Sequence, residues 1–410
     1  MKSEPGSVNV MVLNCGSSSL KYKIVRMPEE CVLVAGEAER VGIKTKEDPA
    51  IHHTVLGSTV TLPLARGDHA AAFRRIMEII AGDSANDPEI ACSLFAHRYV
   101  HPGTLFTKTT RINAHTLKQL RQTLPLAPLH NPISFSLVEL CAKEYPAIPQ
   151  VAVFDTSFHA TIPKEHSLYA LPRVFSRKFG IHKIGFHGLS HEYVMHASCG
   201  FLKREVRTQR IISCHLGTGG SSICAISNGR SVNNSMGFTP LEGLVMNTRS
   251  GDVDVGMVFY LMFKENCSAD DIETILNRKS GIVGVYAASS DMRDVIASSV
   301  SDPRARLAFS LYVNRVKKYI GYYSLLLEKP DVLIFTDSIG TGLSLVREEV
   351  CKNLQMFGIR IDAEKNHGYR SGMADISHSK AETRTLVIPT DEEIVIARQA
   401  YKEHSYGHNN

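Results

Sequence analysis

The tract Asn14-Cys15-Gly16-Ser17-Ser18-Ser19-Leu20-Lys21 gathers a carboxamide, three hydroxyls, an ammonium group and the backbone N–H groups of one turn within eight residues. Donors of this kind, from Asn14, Ser17, Ser19 and Lys21, converge on a single oxyanion, and the reading they support is a phosphate-holding hairpin. No Gly-Lys-Ser/Thr opens a helix here, so this is not a Walker loop. Taken alone, the tract is matched equally well by an ordinary serine-rich turn.

Strands must carry such a turn. Val8 to Leu13 is an apolar run of strand length, and Tyr22, Ile24 and Val25 resume β-forming residues after the turn. The pattern returns at residues 211–226, Ile-Ile-Ser-Cys-His-Leu-Gly-Thr-Gly-Gly-Ser-Ser-Ile-Cys-Ala-Ile, and Asn228-Gly229 then signals a hairpin. Each copy is followed downstream by an apolar strand that stops at an acid: Val-Ala-Val-Phe-Asp155 in the first half, Val-Leu-Ile-Phe-Thr-Asp337 in the second. Helices fall between them. Asp302-Pro303 caps a stretch that aligns Phe309, Val313, Val316 and Ile320, and Asp68 to Ala81 aligns Phe73, Ile76, Met77 and Ile80, with Gly82 as its expected stop. The expected architecture is α/β and duplicated, with two domains facing each other across a central cleft that brings two phosphate-holding hairpins together as a nucleotide clamp.

Composition narrows the class. A chain of 410 residues suits two or three domains, and 43% hydrophobic with 21% charged residues is globular. Nine scattered cysteines without a Cys-x-x-Cys pair argue for reduced thiols. The opening Met-Lys-Ser-Glu-Pro-Gly lacks an apolar signal core and no stretch reaches membrane-span length, so a cytoplasmic protein without a membrane partner is expected. A net charge of +5 suits anionic metabolites and gives no case for nucleic acid; the run Lys203, Arg204, Arg207, Arg210 reads as a solvated face.

Further tracts carry chemistry: His97-Arg98-Tyr99-Val100-His101, Leu126-Ala127-Pro128-Leu129-His130-Asn131, Phe154-Asp155-Thr156-Ser157-Phe158-His159, and Gly185-Phe186-His187-Gly188-Leu189-Ser190-His191. They continue with Ser235 to Pro240, Thr248-Arg249-Ser250-Gly251-Asp252-Val253-Asp254, Ser290 to Asp294, and Pro389 to Glu393. In this order, from Asn14 to Glu393, the tracts resemble the acetate kinase family. The resemblance implies the duplicated ribonuclease-H-like (actin-like ATPase) fold, with domains at 1–156 plus 390–410 and at 157–389. It also implies reversible phosphoryl transfer between ATP and acetate, giving acetyl phosphate and ADP.

By resemblance Arg98 and Arg249 are the arginines that share charge on the transferring group and the carboxylate. His187 stabilises that group, and Asp155 orients the reacting end or handles a proton. Asn14 and Glu392 hold Mg²⁺, with Mn²⁺ an alternative ion. Val100, Leu129, Phe186 and Pro240 form the pocket for the acetate methyl, which makes propionate an expected secondary substrate. His215, Leu216, Gly217, Thr218 and Gly219 are the second phosphate loop, Asp291, Met292 and Arg293 the adenosine region, and Ser338, Ile339, Gly340, Thr341 and Gly342 the nucleotide loop. A homodimer is expected on the same ground.

Competing readings belong beside these. Thr390 and Glu393 fit a capping box, and Glu392 in the first turn of a helix is favoured by the dipole as well as by a metal. His191 with His196 has the wrong spacing for zinc, and Asp252 with Asp254 lacks the closing glutamate of a calcium loop, since Phe263 stands there. His97, His101 and His130 read as structural. Three tracts depart from the family's usual sequence: Thr218 replaces asparagine, His101-Pro102-Gly103 replaces His-Gly-Gly, and Asp337-Ser338-Ile339-Gly340-Thr341-Gly342 replaces Gly-Gly-Ile-Gly-Glu-Asn. Asp337 would repel phosphates and Ser338 would narrow the base slot. A pyrophosphate-using branch resembles the chain in its Thr-Gly-Gly loop and in the aspartate after Phe-Thr, but Ser338-Ile339 is smaller than that branch's slot-filling pair. ATP/ADP is therefore the expected donor pair, with a pyrophosphate- or phosphate-dependent enzyme and a non-catalytic actin-like switch as the alternatives.

Overall fold

The computed structural model describes residues 6–43, 47–127 and 130–406. The chain divides into two compact units, Met1–Ser157 with Asp391–Asn410, and Phe158–Thr390.

In the first unit β1 (Val8–Cys15), β2 (Ser19–Met27), β3 (Cys31–Glu39), β4 (Ala50–Val55) and β5 (Ser58–Pro63) form an antiparallel meander. β6 (Leu94–Tyr99) and β8 (Gln150–Phe154) add in parallel beside β1, and β7 (Thr110–Arg111) closes the edge, for an order β5-β4-β3-β2-β1-β6-β8-β7. β1 and β8 are almost wholly buried, as expected for strands covered on both faces. The helices His69–Asn86 and Asn131–Glu144 pack Phe73, Ile76, Ile80, Leu137 and Cys141 against Met11, Leu13 and Phe95, and the helix Glu392–Tyr406 lies along β1, β2 and β8.

The helix capped by Asp68, whose carboxylate accepts the Ala71 N–H at 2.9 Å, does not stop at Gly82. It runs to Asn86. Gly82 is exposed and costs only about 1 kcal/mol within a helix, whereas Pro88 two residues past the end cannot continue one.

His97 on β6 is buried, and its Nε2 lies 2.8 Å from Gln150 Oε1. Burial pulls its pKa down to about 4, the Gln150 contact opposing this. The unfolded chain therefore binds a proton at this histidine between pH 6.5 and 4 that the folded chain refuses, so stability falls as pH falls through that window. At pH 5 the loss is ~2 kcal/mol. Urea midpoints at pH 7.5 and pH 5 check it: His97→Gln is expected to lose less stability than wild type over that interval by about that amount, and an equal loss contradicts the assignment.

In the second unit β9 (Arg210–Leu216), β10 (Ser221–Ser227) and β11 (Arg230–Asn234) form an antiparallel meander. β12 (Val332–Thr336) and β14 (Arg384–Val387) join in parallel, and β13 (Ala374–Asp375) lies outside β14, for an order β11-β10-β9-β12-β14-β13. Asn228 and Gly229, with φ of 52° and 75°, make the β10–β11 turn with both central residues left-handed. The helix Pro303–Leu326, capped by Asp302, buries Val313, Val316 and Ile320 against Ile212, Cys214 and Phe335. The inner order β3-β2-β1-β6-β8 repeats as β11-β10-β9-β12-β14. The fold is the duplicated α/β one expected.

All nine cysteines are free, and burial raises the Cys15, Cys92, Cys224 and Cys351 thiols to about 12, so these are inert at neutral pH. Among the described residues, no helix is long and apolar enough to cross a membrane. The basic run is not wholly a solvated face, because Arg210 on β9 pairs with Asp331, donating from Nη2 at 3.0 Å.

Candidate functional site

In the first unit, β1, β6 and β8 end together and bring Asn14, Arg98 and Asp155 to one end of the sheet. Asn14 pairs across the hairpin with Lys21, and the turn between the strands is closed by the Gly16 N–H donating to Ser19 O at 2.9 Å. Arg98 is the hub: Nη2 donates to Asp155 Oδ2 at 3.0 Å, Nη1 to Asn14 Oδ1 at 3.3 Å, and Nε lies 3.6 Å from Glu392 Oε2. Burial disfavours its charge, yet the carboxylates of Asp155, Glu392 and Glu393 outweigh this and hold its pKa above the ordinary arginine value. The group is a fixed cation with several donors at the strand ends.

The first turn of the helix Glu392–Tyr406 completes this half. Asp391 caps it, accepting from Ile394 N at 3.1 Å, so the capping box expected of Thr390 and Glu393 does not form. Glu393 instead accepts from Asn14 Nδ2 at 3.1 Å. Lys23, two residues beyond Lys21 and hence on the same strand face, donates to both Asp391 carboxylate oxygens at 2.8 Å. The helix is pinned to the hairpin by these bonds. Ser17 and Lys21 are exposed, and the Lys21 ammonium is 4.0 Å from Glu37. Val100 is buried beside the loop that Asn131 pins through the His101 backbone, and Leu129 lies outside the described residues.

In the second unit the chemistry gathers on the β9–β10 hairpin. His187, with a left-handed φ of 59°, stands immediately before the helix Gly188–Leu202 and stacks on His215 with ring centroids 4.1 Å apart. Its Nδ1 lies 3.0 Å from Ser222 Oγ, which also lies 2.8 Å from His191 Nε2. Burial, with His159 and His215 adding to it, pushes His191 well below the usual histidine pKa; neutral His191 and the Ser222 hydroxyl thus orient the His187 ring. A Cβ on Gly220 would meet Arg249 Nη1 at 3.3 Å and His187 Nε2 at 3.4 Å. Glycine here leaves space at which an imidazole and a guanidinium converge, and two such donors suit an anion with charge on several oxygens. Burial lowers the Arg249 pKa, and the contact its side chain makes is a long one, Nη1 to Met246 Sδ at 3.7 Å.

The loop after β12 is held by contacts of its own. Asp337 follows β12 with a φ of 61°, lies 3.0 Å from His215 Nε2, and occupies the space a Cβ on Gly217 would need. Ser338 Oγ accepts the Thr218 N–H at 3.3 Å, so this hydroxyl takes a donor of the phosphate loop. Ile339 is 2% exposed and belongs to the hydrophobic core. Gly340 and Thr341 are held through their carbonyls by Arg347 Nη1 at 2.9 and 2.7 Å. Thr341 Oγ1 bonds back to Asp337 O, and the short helix ends at Gly342. Asp291 caps the helix Met292–Ser298 and accepts from Arg293, while Met292 is buried, so these contacts are local.

Phe186 is buried, and its carbonyl accepts from Asn234 Nδ2 at 3.1 Å. The Gly185 N–H donating to Gly237 O ties this tract to the one ending at Pro240. Sequence reasoning missed Lys23, Asp391, Asn131, Gly220, Ser222 and Arg347. Arg347 sits in the ordinary amphipathic stretch Leu343-Ser-Leu-Val-Arg-Glu-Glu-Val350, which gives no local signal that it is a 1% exposed guanidinium. Two cavities, of about 370 and 310 Å³, lie elsewhere in the second unit and include none of the predicted site residues.

A family model described as the acetokinase family matches residues 9–398. An acetate kinase of Acetivibrio thermocellus is 41% identical over 399 residues, covering 96% of this chain and 99% of the relative. The crystal structure of Porphyromonas gingivalis acetate kinase superposes with a TM-score of 0.87 at 38% identity, covering 97% of this chain and all of that one. A propionate kinase from Francisella tularensis gives 0.87 at 33% identity, with 96% and 99% coverage.

Proposed function

Because the chain belongs to the acetokinase family, we propose that it is an acetate kinase, moving the γ-phosphoryl group of ATP to the acetate carboxylate and back. The observation that carries this reading beyond family membership is the convergence of His187 and Arg249 on the space over Gly220. Acetate is ionised at neutral pH, so the forward reaction needs no strong base. The difficulty is bringing two anions together and holding the loose transition state in line.

Arg249 and Arg98 supply forked donors to the equatorial oxygens and the carboxylate. His187, oriented by Ser222, donates to the same group. Asp155 keeps Arg98 aimed, and Val100, Phe186 and Pro240 contact the methyl group, with propionate accepted as a secondary substrate. Leu129 belongs to the same pocket by resemblance alone. Ser17, Ser19 and Lys21 on one hairpin, and residues 215–219 on the other, take phosphate oxygens. Asp291 to Arg293 and residues 338–342 belong to the nucleotide. Asn14 and Glu392 offer oxygen donors alone, the hard ligands Mg²⁺ or Mn²⁺ takes, and such an ion screens the charge of the polyphosphate when bound.

ATP/ADP is the donor pair of the family, and the buried Ile339 and small Ser338 support it here. Hydroxylamine trapping tests the reading: acetohydroxamate is expected with ATP and acetate together, and its absence under those conditions contradicts it. Nine reduced thiols support a cytoplasmic location.

A homodimer is supported by the helix Val255–Lys264, none of whose ten residues is buried although eight of them are apolar: Val255, Phe259 and Phe263 are 63, 65 and 85% exposed. A stripe so large is normally covered by a partner. Phe259→Glu with Phe263→Glu is expected to halve the mass measured by sedimentation without unfolding the chain; an unchanged mass excludes this face.

A further inference from the structure

The cavity of about 370 Å³ between the helices Lys164–Ser167 and Arg173–Phe179 is lined by three cations, Lys164, Arg173 and Arg177. No carboxylate lines it, and none of the three makes an ion pair with the described residues. Cations grouped without a counter-charge repel one another, and each arginine presents a planar fork that matches a carboxylate or phosphate. Leu168 and Leu171, 52 and 49% exposed, form an apolar wall, and Ser176 adds a hydroxyl. The volume is that of a small-ligand site.

Tyr169, also in the lining, is fixed from behind. Its hydroxyl donates to Glu242 and accepts from Phe238 N at 2.9 Å, and Glu242 is paired with Lys183 at 2.8 Å. Glu242, behind this tyrosine, is thereby already paired and does not compete for the arginines.

We propose that this cavity binds a small organic anion, with a carboxylate or phosphate head held by Arg173, Arg177 and Lys164 and a short apolar body on Leu168 and Leu171. The site is separate from the acetate and ATP contacts proposed above and does not depend on them.

Phenylglyoxal labelling of the full chain, read arginine by arginine from a digest, tests the proposal with succinate and glycerol 3-phosphate as probes. With a probe at about four times its Kd, about one fifth of the sites stay free, so Arg173 and Arg177 are expected to label about fivefold more slowly. Arg98 and Arg249 in the same digest report the active site independently. Protection by succinate alone assigns a carboxylate ligand and protection by glycerol 3-phosphate alone a phosphomonoester, and in either case Lys164→Gln is expected to weaken it. Unchanged labelling at Arg173 and Arg177 with both probes overturns the proposal. So does protection that grows with protein concentration and without a probe, which would give these arginines to a subunit contact.

Discussion

Arg249→Lys is expected to lower kcat by about 10² to 10³, the loss found when one preorganised donor to a transition state is removed. Lysine keeps the charge but loses the fork, so it reaches one oxygen where arginine reaches two. The fold should be indifferent. Among the described residues Arg249 makes no ion pair, and its side-chain contact to Met246 Sδ is long at 3.7 Å, so the exchange breaks no strong bond there. Thermal midpoint and kcat measured on one preparation check both halves. Wild-type kcat would remove Arg249 from the transition state, and a collapse of the midpoint would make its role structural.

Arg98→Gln acts on stability and catalysis together. Asp155 is 1% exposed and loses its 3.0 Å ion pair with Arg98, and removing one member of a buried pair costs about 3–5 kcal/mol. Adding Asp155→Asn removes the stranded charge, so the double variant should regain most of the stability while staying inactive. Urea unfolding beside acetate-dependent turnover separates the two effects. Activity returning together with stability would mean that Arg98 only braces the sheet.

The duplicated fold was legible because its signals are local: a strand, a Gly/Ser turn and a second strand, twice, each followed by an apolar strand that stops at an acid. The contacts that finish the site are not local. Asn14 meets Glu393, 379 residues away, and Lys23 meets Asp391 across 368. No pattern near Lys23 announces that partner, and the local reading of Glu393 as half of a capping box fails because Asp391 takes the cap. The surroundings of Ser338 and Ile339 are non-local in the same way. A sequence window gives their size but not their direction, and direction decides that one bonds a loop amide while the other enters the core. Gly82 reads as a stop, yet the decisive residue is Pro88, six positions on.

Phosphorus NMR of the full chain with ATP, acetate and Mg²⁺ tests the central claim most directly, since it follows each phosphorus through the reaction. An acyl phosphate resonance should grow in step with ADP, and adding acetyl phosphate with ADP should produce ATP. Orthophosphate appearing with ADP in place of the acyl phosphate, or no acetate-dependent change at all, would contradict it.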